Sequence, residues 1–179
     1  MTLTLSLIGQ GDILAVAALA GAAFRQDAVD MHALPRDAQS AVHDDVAKHA
    51  EWMKEKVYYK CTMNGSLVGS LILQVAGDKG SIFGLHVAPD HVNLGIGTWM
   101  LRTGMGLWPR VALWSLETPD YATRNHHFYE KNGFLKVGQT PVTPEVGFGF
   151  VNYEKRTQQE HAEATSKTAR SAASEASDA

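Results

Sequence analysis

The chain has 179 residues, of which 45% are hydrophobic and 20% charged, with a formal net charge of −3. That is the length of one ordinary domain, with enough apolar mass for a core that needs no disulfide or metal staple. The balance of 16 Lys plus Arg against 19 Asp plus Glu excludes a basic footprint, so no nucleic-acid partner is expected. The lone Cys61 cannot form an intramolecular disulfide and reads as a small apolar strand residue in a reducing, cytoplasmic setting.

The N-terminus lacks a basic stretch ahead of an apolar one, so no signal peptide is expected. Residues 2–8 alternate polar and apolar (Leu3, Leu5, Leu7), the period of a strand. Gly9 and Gly11 break it, and Asp12 is placed to cap a helix over 13–24 by accepting from a free backbone amide. This apolar run is about a dozen residues where a membrane span needs ~20, so it predicts a buried helix and no membrane partner. Residues 26–40, with Pro35, read as irregular. Val46, Ala50 and Met53 predict a second helix over 44–56.

Strands follow at 57–63, 67–75 and 81–87, joined by Asn64-Gly65, a two-residue hairpin signal, and by a turn over 77–80. A helix is expected over 95–108, ended by Pro109. A strand over 111–117, a helix over 121–132 stopped by Gly133, and strands over 134–139 and 146–153 complete the pattern. Beyond Lys155 there is no Leu, Ile, Val, Met or aromatic residue. The expectation is a domain over 1–155 and a disordered polar tail over 156–179, because such a segment cannot bury enough apolar surface to offset its ordering entropy.

The segment over 85–101 (LHVAPDHVNLGIGTWML) runs from a strand through a glycine loop into a helix. A helix N-terminus offers unpaired amides and a positive dipole end, which suits a phosphate. A Walker loop would need a lysine before Thr98, and a dinucleotide fingerprint would need glycine at Met100. Neither is present, and a ligand-free strand-to-helix turn is the alternative.

A second block, YATRNHHFYEKNGF over 121–134, carries FYEKNGF. With VNLGIG over 92–97 behind LHVAP, it resembles the GNAT superfamily of acetyl-CoA-dependent N-acetyltransferases. The resemblance implies a mixed α/β fold, a mostly antiparallel sheet of about six or seven strands flanked by about four helices. It implies acetyl-CoA as cosubstrate and a small-molecule or peptide amine as acceptor, in a monomer or homodimer. Carried over, the acyl and pantetheine arm would pair with the backbone of Leu85, His86 and Val87. The pyrophosphate would meet the loop at Val92, Asn93, Leu94, Gly95, Ile96, Gly97 and Thr98. Val92 and Leu94 stand where the family often has Gln, Arg or Lys, which implies reliance on backbone amides. Asn93 stands where Gly is common and tolerates a left-handed backbone. Asn125 stands in for the family's helix asparagine.

Tyr129 holds the position of the general acid that would protonate the thiolate, with a core tyrosine as the other reading. The base is open. Glu117 ends the strand after the loop helix; His86 has a suitable pKa; Ser81, assigned the same strand parity as Leu85, could not act unaided. Trp52 is the tryptophan best placed for an acceptor. His43 and His49 are off register for one helical face, and His126 and His127 point apart, so no metal is expected. A non-catalytic acyl-CoA-binding domain on the same fold is the alternative function.

Overall fold

In the computed structural model, residues 2–30, 43–142 and 147–157 are described. They form β1 (Leu3–Leu7), α1 (Ile13–Asp30), α2 (Val46–Glu55), β2 (Val57–Met63), β3 (Ser66–Ala76) and β4 (Lys79–Val87). There follow α3 (Ile96–Gly106), β5 (Leu113–Pro119), α4 (Thr123–Lys131), β6 (Leu135–Gln139) and β7 (Phe150–Arg156). The seven strands make one sheet in the order β1-β2-β3-β4-β5-β7-β6. Every neighbouring pair is antiparallel except β4 and β5, which run parallel. The expected fold class is therefore observed: a mostly antiparallel sheet flanked, among the described residues, by four helices.

Alternation sorts the strand residues onto two faces. On one face Leu71, Leu73, Ile82, Trp114, Leu116, Phe134 and Tyr153 pack with Leu101 of α3, and Phe128 and Tyr129 of α4 lie against them. Fully burying a side chain of this size contributes about 1.5–3 kcal/mol, so this cluster is the main stabilising layer. On the other face Tyr58 and Ile72 pack with Val16 of α1, and Trp52 and Met53 of α2 lie against them. Cys61 is fully buried beside Val68, Ile96 and Met100, as an apolar residue would be, and burial pushes its thiol up to about 11.

Asn64 (φ 52) and Gly65 (φ 86) are both left-handed, the conformation a two-residue hairpin turn requires. Several expectations are corrected. Helix α1 runs past Phe24 to Asp30, because residues 25–30 hold no proline or glycine to end it; the rest of the segment read as irregular lies outside the described residues. The Asp12 carboxylate does not cap α1. It accepts from the Gly9 amide at 2.8 Å, on the preceding side, and from Lys60 Nζ at 2.7 Å. Gly80 belongs to β4 rather than to a turn, since a Cβ there would stand 2.6 Å from the Trp114 ring. The last strand begins at Phe150, behind Gly147 (φ 79) and a Gly149 amide that donates to Asp120. The polar tail lies outside the described residues from 158 onward.

Candidate active site

The parallel β4–β5 ladder is short. It pairs only Lys79 with Leu113, Gly80 with Trp114 and Ser81 with Ser115. Beyond it, Ile82–Val87 stay bonded to β3 and Leu116–Pro119 to β7, and the two strands part. Their facing edges therefore carry unpaired amides and carbonyls in mid-sheet, where an extended amide-bearing ligand can add as a strand. Leu85, His86 and Val87 lie on this open edge of β4.

The register explains which side chain points where. A bulge at Phe83 sets Ile82 opposite Leu73 and Gly84 opposite Ile72. Leu85, opposite Leu71, faces α3, and Val87 packs there too. His86, opposite Ser70, faces α1 and α2. The bulge also overturns the parity assigned to Ser81. Opposite Gln74, it lies on the His86 face and not on that of Leu85.

The glycine loop sits where β4 ends and α3 begins. Asn93 (φ 63) and Gly95 (φ 78) are left-handed, and a Cβ at Gly95 would meet nothing within 4 Å. Asn93, Leu94 and Gly95 are exposed, while Ile96 and Gly97 are buried and Thr98 partly so. Ile96, Gly97 and Thr98 form the first turn of α3, whose amides have no partner inside the helix. This is a fit for an anionic phosphate group: open space in front of a glycine, amides unpaired within the helix and a helix N-terminus, on a segment (92–99) that itself carries no Lys or Arg. Val92 is partly buried and adds no charge.

Helix α4 closes the site. A Cβ at Gly97 would stand 3.2 Å from the Phe128 ring and 3.6 Å from Leu85, so loop, open β4 edge and α4 converge at that glycine. Tyr129, the next residue, is half-buried, with its ring centre 5.1 Å from Phe128 and 5.8 Å from Phe134. Asn125 lies in the first turn of α4, partly buried. The asparagine of α4's end that touches the loop is Asn132, which the sequence reading missed: its Nδ2 donates to Thr98 Oγ1 at 3.3 Å and to the Phe128 carbonyl at 2.8 Å. Its place directly before Gly133, in the FYEKNGF block, was the available signal. Glu117 is exposed on β5, two residues beyond the last β4 pair. Alternation from buried Trp114 and Leu116 puts it on the same face as His86.

That face holds a polar cluster the sequence reading did not assemble. His49, taken as off register with His43, is fully buried and joined to it: His49 Nε2 lies 2.9 Å from the His43 carbonyl oxygen. His49 Nδ1 lies 2.7 Å from the Tyr58 hydroxyl, and Ser70 Oγ lies 3.1 Å from His86 Nδ1. The His43 ring stacks on Phe24 at 4.1 Å and meets His86 edge-on at 6.1 Å. Burial pushes His86 down to about 3, with the neighbouring His43 and His49 adding to the effect. Burial lowers His43 and His49 as well and pushes Tyr58 up to about 12. Trp52 stands beside this cluster, 4.8 Å from His49 and 5.2 Å from exposed Phe83 by ring centres. Among the described residues no group of three or more His, Cys, Asp or Glu is arranged to hold a metal ion. No helix among them is long and apolar enough to cross a membrane.

The model of the acetyltransferase (GNAT) family matches residues 25–134. No curated protein matches the chain. Among solved structures, the ribosomal-protein-S18-alanine N-acetyltransferase of Escherichia coli superposes with a TM-score of 0.68 at 20% identity, covering 87% of this chain and 94% of that one. A GCN5-related N-acetyltransferase of Rhodopseudomonas palustris gives 0.70 at 21% identity, over 88% and 97%. The PaiA N-acetyltransferase of Thermoplasma acidophilum, solved with coenzyme A, gives 0.72 at 14% identity, over 88% and 100%. At these identities the superpositions speak for the fold alone, and the family match, over more than half the chain, speaks for kinship. The protein belongs to the GNAT family of acetyltransferases.

Proposed function

We propose that the protein is an N-acetyltransferase that moves the acetyl group of acetyl-CoA directly to a primary amine, with both substrates bound at once. The observation that carries this reading is the parting of β4 and β5 beyond Ser81 and Ser115, with an amide-rich loop at its open end. In this reading the backbone of Leu85–Val87 holds the pantetheine arm, and the amides around Asn93–Thr98 hold the pyrophosphate. An amide aimed at the developing oxyanion supplies the main electrostatic stabilisation.

The amine nitrogen bonds to the thioester carbonyl carbon and the carbon–sulfur bond breaks. Tyr129 gives its hydroxyl proton to the departing sulfur, and Glu117, open to solvent on the acceptor side, receives the proton lost by the amine. Direct transfer is supported by Cys61, whose buried and hard-to-ionise thiol is a poor nucleophile for a covalent route. The acceptor is a small molecule or a peptide amine. The E. coli enzyme, by its name, acts on an alanine of ribosomal protein S18.

The test pairs acetyl-CoA titration with a turnover panel of amino acids, polyamines, arylalkylamines and peptides with free N-termini. Saturable binding with acetyl transfer to at least one amine is expected. Binding with no transfer on the whole panel would favour a non-catalytic acyl-CoA module, and no binding would overturn both.

A further inference from the structure

Asn132 ends α4 and reaches across to the first turn of α3. It is only 6% exposed. Its backbone is pinned on both sides. The amide donates to the Phe128 and Tyr129 carbonyls at 3.2 and 3.0 Å, and the carbonyl accepts from Lys155 Nζ at 3.1 Å. Gly133 (φ 84) then turns the chain out of the helix, so the Asn132 side chain springs from a fixed base. The Phe128 carbonyl only accepts, so the atom 2.8 Å from it is Nδ2 and not Oδ1. The other Nδ2 proton goes to Thr98 Oγ1 at 3.3 Å, which makes the hydroxyl the acceptor of that bond. Among the described residues the Thr98 hydroxyl makes that one hydrogen bond, so its own proton is uncommitted. Asn132 Oδ1 is buried with no partner at all. An unpaired buried acceptor lowers stability, so capping α4 is a poor account of why an amide stands here.

The uncommitted proton lies at the helix end that suits an anion. The Trp99 amide, 3.0 Å from the Gly95 carbonyl, is the first in α3 with a helical partner. Thr98 therefore carries the last of the amides left unpaired within the helix. Every Cα–Cβ bond of a helix tilts toward its N-terminus, so the Thr98 side chain leans to the end where Gly95 faces open space. The neighbouring Gly97 brings the same turn against α4, since a Cβ there would stand 3.2 Å from the Phe128 ring.

We infer, on the acetyl-CoA reading proposed above, that Asn132 is a positioning residue: it occupies one side of the Thr98 hydroxyl and so aims the hydroxyl proton at the phosphate group held by the first turn of α3. A hydroxyl that accepts on one side is confined to donate on the other. The segment over 92–99 holds no Lys or Arg, and an oriented hydroxyl adds a charge-assisted hydrogen bond to those of the amides. The two sequence blocks are then coupled chemically as well as by packing, the second block setting the donor of the first.

The experiment is calorimetric titration of acetyl-CoA into the full-length parent, Asn132→Leu, Thr98→Val and the double variant, with the Asn132 side-chain amide followed by NMR. Thr98→Val should weaken binding about 10- to 100-fold and Asn132→Leu roughly tenfold, the range of one hydrogen bond to a charged group. Thr98→Ser, which keeps the hydroxyl, should recover most of the loss seen in Thr98→Val. Because Asn132 acts through Thr98, adding Asn132→Leu to Thr98→Val should weaken binding no further, within about twofold. The Asn132 Nδ2 signals should move as acetyl-CoA is added to the parent and stay still in Thr98→Val. Losses that multiply in the double variant, or an Asn132→Leu protein that melts lower but binds as tightly as the parent, overturn the inference. Should Asn132→Leu fail to fold, the spectra of the parent and Thr98→Val decide alone. A parent that binds no acetyl-CoA overturns the transferase reading instead. Inorganic pyrophosphate then replaces acetyl-CoA in the same spectra, and an Asn132 signal indifferent to it overturns the inference too.

Discussion

Replacing Gly95 with alanine separates stability from ligand binding. Gly95 has φ +78, and an added Cβ meets no protein atom within 4 Å. The folded protein therefore loses only the left-handed backbone penalty, about 1–2 kcal/mol for a residue with a Cβ. For a chain of this size that is a Tm drop of roughly 2–8 °C. The new methyl occupies open space directly before the first turn of α3, where the phosphates are proposed to sit. Losing one charge-assisted hydrogen bond there costs about 1.5–3 kcal/mol, or roughly 10- to 100-fold in Kd. Gly65 (φ +86) and Gly77 (φ +61) also open onto empty space but lie in the β2–β3 and β3–β4 hairpin turns, outside the loop. Gly65→Ala and Gly77→Ala should match Gly95→Ala in thermal melts and leave acetyl-CoA binding unchanged. The assay is calorimetric titration of acetyl-CoA beside a melt for each variant. Equal Kd values in all three variants and the parent would refute the placement of the phosphates.

Tyr129→Phe should lower turnover most visibly at neutral pH with acetyl-CoA affinity nearly intact, and an unchanged rate would remove the tyrosine from its role. Glu117→Gln should lower turnover near neutral pH without altering the melt, since the side chain is exposed. Gly80→Ala would force its Cβ to 2.6 Å from buried Trp114, and overpacking of this kind costs about 1–3 kcal/mol, readable by chemical denaturation. Stability should also fall with acid. The folded pKa of His43, His49 and His86 is lowered, so below the unfolded value near 6.5 the unfolded chain binds protons that the folded chain refuses. This stability is complete above pH ~6.5 and declines below it, for His86 down to about 3. At pH 5 the His86 share is roughly 2 kcal/mol at most. The melting temperature should drop from pH 7 to pH 5, and His86→Gln should flatten that slope.

The strand and helix order was legible in the sequence because local signals and tertiary structure agree there. Asn64-Gly65 is read correctly since only its own φ values matter. The two motifs are likewise local, and the structure brings them together at Gly97, Leu85 and Phe128. What was not legible depends on register and on long-range contact. One bulged residue, Phe83, reverses the parity between Ser81 and Leu85, and no local feature of SIFGL announces it. The link between His49 and His43 runs through a backbone carbonyl, which helical-face counting cannot see. Ser70 and His86 are 16 residues apart and meet only through strand pairing. Asp12 looked like a helix cap, but the Gly9 amide and Lys60, 48 residues away, take its carboxylate instead.

The most direct test of the acetyl-CoA site is the backbone amide spectrum of the protein as acetyl-CoA is added. The account predicts shifts concentrated at Leu85–Val87 and Asn93–Thr98, with Ser66–Ala76 beyond the paired edge little changed. Shifts confined to other surfaces, such as the Leu107–Val111 turn, or no shifts at saturating acetyl-CoA, would contradict it.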